Sequence, residues 1–275
     1  MQISPRYDGP PVLDVDFEGD PAGPIVRQRR RLADTLRTLT DEQWASPSRC
    51  EGWTVQDVVS HLIGTDGFWI VSFRSGLKGE PTRFLSGFDP VATPAQMVQG
   101  MQALTPADVL TQFEEKTDAL EELLVNVDAS QWAVLAEAPP GHLALRVAAL
   151  HALWDGWVHE RDIVIPLGFA PVERADEMDL VLRYAVGLSP AFFVATESRK
   201  TGALTVSATE PALSLLVEVG ESVRVRNGAA SHGPCLAGRT VDLIEGLSHR
   251  GEFAHSLEPD DMWLLDGLSQ VFDKV

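Results

Sequence analysis

The chain has 275 residues, 44% of them hydrophobic and 23% charged, so it can bury a sizeable core and reads as an ordinary globular protein. Lys and Arg number 22 against 40 Asp and Glu, and the resulting net charge of −18 excludes a broad nucleic-acid-binding surface, because neutralising phosphates needs clustered cations. The first residues show no basic segment followed by an apolar core, and no uninterrupted apolar run is long enough to span a bilayer. A cytoplasmic protein without a membrane partner is therefore expected. Cys50 and Cys235, far apart in sequence, are expected to stay as thiols in a reducing compartment.

Residues 1–22, rich in Pro, Gly and Asp, are expected to form an extended N-terminal arm. From Pro24 to Thr38 the spacing of Ile25, Leu32, Leu36 and Leu39 predicts a helix, with the basic run Arg27-Gln28-Arg29-Arg30-Arg31 on a solvated face. Thr40 to Gln43 has capping-box spacing and predicts a short helix carrying Trp44. Thr54-Val55-Gln56-Asp57 opens the next helix, which turns Val55, Val58, Val59, Leu62 and Trp69 inward and leaves His61 beside that stripe. Gly, Pro and Ser crowd residues 75–92, which are expected to be mobile.

Helices are predicted over 94–103 and 106–126, the second opened by Thr105-Pro106. A helix over 141–163 buries Leu143, Val147, Leu150, Trp154 and Trp157 and stops at Pro166 and Gly168, and another covers 174–195. Past residue 199 the stretches GALTVSATE, LSLLVEVG and ESVRVRNG alternate as half-buried strands do, before AGRTVDLIEGL and PDDMWLLDGLSQVF return to helical spacing. The organisation expected is an arm (1–22), a helical domain (23–198) and a small α/β domain (199–275).

The stretch HALWDGWVHERD sets His151, Asp155 and His159 at four-residue steps. Residues four apart on a helix differ by about 40° of rotation, so Asp155 and His159 can converge on one ion, as can His151 and Asp155. A catalytic Zn²⁺ keeps about three protein ligands and one open position, so a third must come from elsewhere, and His61 is the best candidate. Ni²⁺ or Fe²⁺ suits the same mixed imidazole and carboxylate set. The alternative for each of these residues is a packed core histidine or a helix-surface pair.

The entry ASPSRCEGWTVQDVVSHLIG resembles that of the mycothiol-dependent maleylpyruvate isomerases and their DinB-like relatives. In that family a Cys-x-Gly-Trp-Thr turn, here Cys50, Gly52, Trp53 and Thr54, leads into the helix bearing the first metal-ligating His, here His61. The other two ligands, a Glu and a His four apart, fall on Asp155 and His159. The run GPCLAGRTVDLIEGLSHRGEF is similar to the family's small sterol-carrier-like appendage. The resemblance implies a fold of α + α/β class, a DinB-like up-down four-helix bundle followed by a small α/β domain.

It also implies a divalent metal, most simply Zn²⁺, and mycothiol, a sugar-linked cysteine, as cofactors. The partner would be an electrophilic small molecule, with isomerisation or S-transfer as the outcome. Arg250 matches an Arg that supports activity in the family, with Arg239 as its rival. Asp155 is one methylene shorter than the usual Glu, so the ion could shift toward its helix, be bound through water, or be held by His151 instead. Asp57 either caps its helix or orients His61. Cys50 is expected as a buried structural thiol, and Trp53, Trp69, Trp154 and Trp157 as pocket wall or core. Two other readings stand: a non-catalytic module binding a small apolar ligand, and a DinB-like enzyme using another thiol or none. Monomer and homodimer are both compatible with such a bundle.

Overall fold

The computed structural model describes residues 4–90, 92–196 and 200–271. The first six helices are α1 (Ala22–Leu36), α2 (Asp41–Trp44), α3 (Val55–Leu77), α4 (Ala92–Gln99), α5 (Pro106–Val125) and α6 (Leu145–Val164). Thr40, Thr54 and Thr105 each close a capping box with Gln43, Asp57 and Asp108, so three helix starts have their amides satisfied by local side chains. α1 packs on α5 and α6, and α3 on the same two, which makes a four-helix bundle of the order α1–α5–α3–α6.

The basic run on α1 is not a solvated face. Arg29 is fully buried and grips Asp66 of α3, with its Nε and Nη2 both donating to that carboxylate. Arg31 reaches Glu160 on α6 and the buried Glu177, while Arg30 pairs with Asp118 and Glu121 on α5. Helical periodicity shows which side of α1 a residue occupies. It does not show that a facing helix offers a carboxylate, and here four do. Gly156 makes the Arg29 crossing possible, because a Cβ there would lie 1.5 Å from Arg29 Nη1.

The helix expected from residue 141 starts at Leu145, since residues before it form a hairpin of β2 (Leu135–Ala138) and β3 (Gly141–Ala144). Pro139 and Pro140 make its turn. At Gly141, with φ of 133°, the N-terminal arm passes so close that a Cβ would sit 2.0 Å from Arg6 O, a place only glycine can fill.

α7 (Ala175–Ala195) lies on α6 and carries the second layer. It is long and apolar enough to cross a membrane, yet 89% of its most apolar window is buried inside the protein, as in a core helix. Against it pack α8 (Thr240–Leu247), α9 (Trp263–Val271) and a five-stranded sheet. The sheet has the order β1-β6-β5-β4-β7, built from β1 (Leu13–Val15), β4 (Gly202–Thr209), β5 (Leu213–Val219), β6 (Val223–Asn227) and β7 (Cys235–Arg239). β1 comes from the N-terminal arm and runs parallel to β6. Ala237 to Arg239, expected to open a helix, instead belong to β7, which pairs in parallel with β4, and the helix begins at Thr240.

Gly156→Ala separates packing from propensity. Helix propensity alone would stabilise the protein by about 1 kcal/mol. Displacing a fully buried ion pair is expected to destabilise it by about 3–5 kcal/mol, read from the denaturant midpoint.

Candidate metal centre

His61 projects from α3, and Asp155 and His159 from α6, and the structure brings these three together. His61 Nε2 and His159 Nε2 lie 3.6 and 3.5 Å from the same oxygen, Asp155 Oδ1. Those separations are long for hydrogen bonds. They match the edge of a tetrahedron with metal–ligand bonds of about 2.0–2.1 Å, which is roughly 3.4 Å. One donor atom from each of the three falls within 4.8 Å of the others.

The charge states suit a cation. Burial pushes the Asp155 carboxyl up, but His61 and the other nearby imidazoles outweigh it and hold the group well below the usual carboxylate range. Burial pushes His159 down against the opposing pull of Asp162, so its imidazole is neutral at pH 7. An ionised carboxylate and a neutral imidazole are the forms a metal requires. Thr65 Oγ1 donates to Asp155 Oδ2 at 3.2 Å, which leaves Oδ1 to the two imidazoles.

Behind His159 stands Asp162. Its Oδ2 accepts from His159 Nδ1 at 3.0 Å and from Arg250 Nη2 at 2.8 Å. An ionised carboxylate can only accept, so His159 keeps its proton on Nδ1 and presents the Nε2 lone pair to the centre. His61 has no such support. Its Nδ1 is buried without a protein partner, and the ring rests against Trp53 at 5.4 Å.

Cys50, His159 and Asp162 form a second cluster of possible ligands. A guanidinium already fills it, since Arg250 Nη2 is 3.7 Å from Cys50 Sγ and paired with Asp162, so a metal cation there would meet a like charge. Burial and the Asp162 charge push the Cys50 thiol up to about 12, which makes it a protonated structural group at neutral pH.

Arg250 reaches Asp162 because of how α8 ends. His249, with φ of 58°, occupies the left-handed position of a Schellman turn, in which the amides of His249 and Arg250 bond back to Gly246 O and Glu245 O. Glu245 pairs with Arg49 and Arg161, and Trp154 Nε1 donates to Ser248 Oγ, so the end of α8 is fastened onto α6. Arg239 pairs with Glu210 on the surface, away from the cavity. Asp57 accepts from the Thr54 amide and hydroxyl and caps α3. His151 bonds Tyr184 OH through Nδ1 at 2.7 Å and stacks among Trp69, Trp154 and Tyr184, outside both ligand clusters. Trp157 lies in the core, under Arg161.

The centre lies in the wall of a cavity of about 810 Å³. Part of its roof is the segment expected to be mobile, and a buried carboxylate holds it down. Glu137 on β2 accepts from Thr82 Oγ1, the Phe84 and Leu85 amides, and Tyr7 OH of the arm. Composition showed the loop-forming residues but not the acceptor that organises them. Asp162 was also missed, although its place three residues after His159 is a legible signal for a helix-face partner.

Residues 25–164 match the mycothiol maleylpyruvate isomerase N-terminal domain. Two uncharacterized proteins of Mycobacterium tuberculosis, from strains CDC 1551 and H37Rv, are each 27% identical over 151 residues, 53% of this chain and 57% of theirs. The chain thus spans a little over half the length of the curated relatives it matches. The crystal structure of the mycothiol-dependent maleylpyruvate isomerase superposes at a TM-score of 0.61 with 13% identity, covering 86% of this chain and 91% of that one. A point mutant of that enzyme gives the same score at 11% identity and the same coverage. These likenesses show the shared fold. YfiT from Bacillus subtilis, described as a probable metal-dependent hydrolase with an unusual four-helix bundle topology, aligns over 54% of this chain at a TM-score of 0.40, too low to carry an argument.

His159→Ala is expected to abolish stoichiometric metal in the purified protein, measured by elemental analysis, and equal metal content would rule out the ligand set. Asp162→Asn is expected to weaken the metal by about 10–100-fold in chelator competition. Glu137→Gln keeps one acceptor oxygen and turns an NH2 group toward either the Phe84 or the Leu85 amide, which donate to different oxygens of the carboxylate. The donor left orphaned costs about 1–3 kcal/mol, and hydrogen exchange should quicken at that amide.

Proposed function

Because the chain belongs to the mycothiol maleylpyruvate isomerase N-terminal domain family, we propose that it is a metal-dependent enzyme using mycothiol, or a thiol of that kind, against an electrophilic small molecule. The reaction class is thiol addition to an electrophilic carbon. It ends in isomerisation if the thiol is released again, as the name of the structurally similar isomerase suggests, or in S-transfer if the sulfur stays. The carrying observation is the convergence of His61, Asp155 and His159 in the wall of a cavity with room for a second substrate.

Two imidazoles and one carboxylate suit Zn²⁺, with Ni²⁺ and Fe²⁺ accommodated by the same donors. When bound, the cation supplies positive charge that lowers the pKa of a thiol and keeps its sulfur as thiolate at neutral pH. The rest is done by the chain. His61 and His159 would hold the ion from two helices, and Asp155 would offer one oxygen between them. Asp162 keeps the Nδ1 proton of His159 in place. Arg250 acts through Asp162 as a positioning residue, because its Nε and Nη2 bond that carboxylate and its Nη1 the Ser248 carbonyl. Trp53, Phe68 and Phe88 line the cavity in front of these residues and would keep water away from the reacting groups.

Replacing the native metal with Co²⁺ tests the reading directly. Mycothiol added to the Co²⁺ protein is expected to produce a near-ultraviolet thiolate-to-metal band that His159→Ala lacks. Turnover of 1-chloro-2,4-dinitrobenzene should require both metal and thiol and should survive Cys50→Ser. Turnover that persists without metal would sink the proposal. A protein with neither band nor turnover would be a non-catalytic binding module.

A further inference from the structure

The cavity is far more apolar than its polar centre suggests. Trp53 and Phe68 line one side, Phe84 and Phe88 form part of the roof, and Met97 of α4 closes another side. Three side chains of its lip, Val71, Phe84 and Met97, are among the large hydrophobic residues most exposed to solvent, at 44%, 63% and 38%. An apolar entrance of this kind marks a place where an apolar molecule enters.

Charge in the wall is scarce, and each charged group is accounted for. Among the described residues that line the cavity there is no lysine and one arginine, Arg250, whose Nε, Nη1 and Nη2 are all bonded within the protein. His61 and His159 face Asp155, and His151 is tied to Tyr184. His249 is half-buried beside Arg250. Burial and that neighbouring positive charge depress its pKa, against a weaker pull from Asp266, so it is neutral at pH 7. Glu51 adds a negative charge to the lining.

A divalent cation at the centre does not alter this balance for the second substrate. Its two charges would be matched by Asp155 and, with the thiol bound, by the thiolate. A carboxylate, sulfonate or phosphate on that substrate would shed its hydration against aromatic rings and find no free cation in return. The net charge of −18 opposes its approach as well.

We propose that this cavity selects a neutral, largely apolar electrophile, of the activated aryl or alkyl kind, and rejects anionic ones, dicarboxylates included. The word electrophile rests on the thiol-dependent reading above. The rejection of anions is a property of the cavity and stands or falls without it.

Two paired measurements on the full-length protein keep those parts separate, the binding pair before metal loading, so that no open coordination position draws an anion, and the turnover pair on the Zn²⁺-loaded protein. The first is binding of N-phenyl-1-naphthylamine against 8-anilinonaphthalene-1-sulfonate, which differ by one sulfonate. The neutral probe is expected to bind at least about 100-fold more tightly, the scale of leaving a buried charge unpaired. Phe88→Ala should weaken it, and Met97→Lys, an exposed change at the lip, should narrow the gap by favouring the sulfonate. Equal binding of the two probes, or neutral-probe affinity indifferent to Phe88→Ala, overturns the proposal.

The second is mycothiol-dependent turnover of 1-chloro-2,4-dinitrobenzene against 4-chloro-3,5-dinitrobenzoate, expected to differ in kcat/KM in the same direction. If the benzoate is turned over as well, the selectivity proposal fails while the enzymatic reading survives. If neither reacts but the neutral probe still wins in binding, the enzymatic reading fails and the selectivity of the cavity stands.

Discussion

The contact on which the site depends is the carboxylate of Asp162. It lies fully buried on α6, three residues beyond His159, where the helical bundle meets the C-terminal sheet layer. It fixes the proton of His159 on the side away from the centre, and it accepts the guanidinium of Arg250 from the turn after α8. One group thus serves orientation of His159 and docking of the second layer together. Two buried charges that satisfy each other are costly to separate, so whatever loosens α8 also loosens the imidazole. His249 in the left-handed conformation belongs to the same arrangement, since the turn it makes brings Arg250 around to Asp162.

The same economy of charge extends across the protein. A chain with 22 cationic and 40 acidic side chains has few cations to spare, and it pairs several of its buried carboxylates with arginines turned inward. Arg29 is committed to Asp66, Arg31 to Glu160 and Glu177, Arg49 and Arg161 to Glu245, and Arg250 to Asp162. These pairs join α1 to α3 and α6, and α6 to α8, and among the described residues they leave no free lysine or arginine in the cavity wall. What looks like a property of the cavity follows from how an acidic protein holds its layers together.

Much of this was legible in the residues. Thr40, Thr54 and Thr105 announced three helix starts through chemistry confined to four residues, and the apolar stripes behind them set which faces pack. His61, Asp155 and His159 could be named because four-residue spacing on α6 and the turn ahead of α3 are both local signals. The rest depended on contacts between residues far apart in the chain. Glu137 holds the 82–85 stretch from across the fold, β1 joins β6 some two hundred residues later, and Arg29 meets a carboxylate on another helix. Periodicity gives a face, and the identity of its partner comes only from the tertiary arrangement.

The aspartate at 155 illustrates how such an arrangement absorbs a local change. A carboxylate one methylene shorter than the glutamate that the resemblance implies at this place would leave a gap if the two helices stood where a longer side chain requires. Here Asp155 Oδ1 is at nearly equal reach of both imidazoles, 3.6 Å to the one on α3 and 3.5 Å to the one on its own helix. Thr65 secures the other oxygen from α3, so the carboxylate is held from both sides and offers one atom rather than two. A glutamate at this position would carry its oxygens past that midpoint toward His61. The shorter residue keeps its oxygen balanced between the two helices.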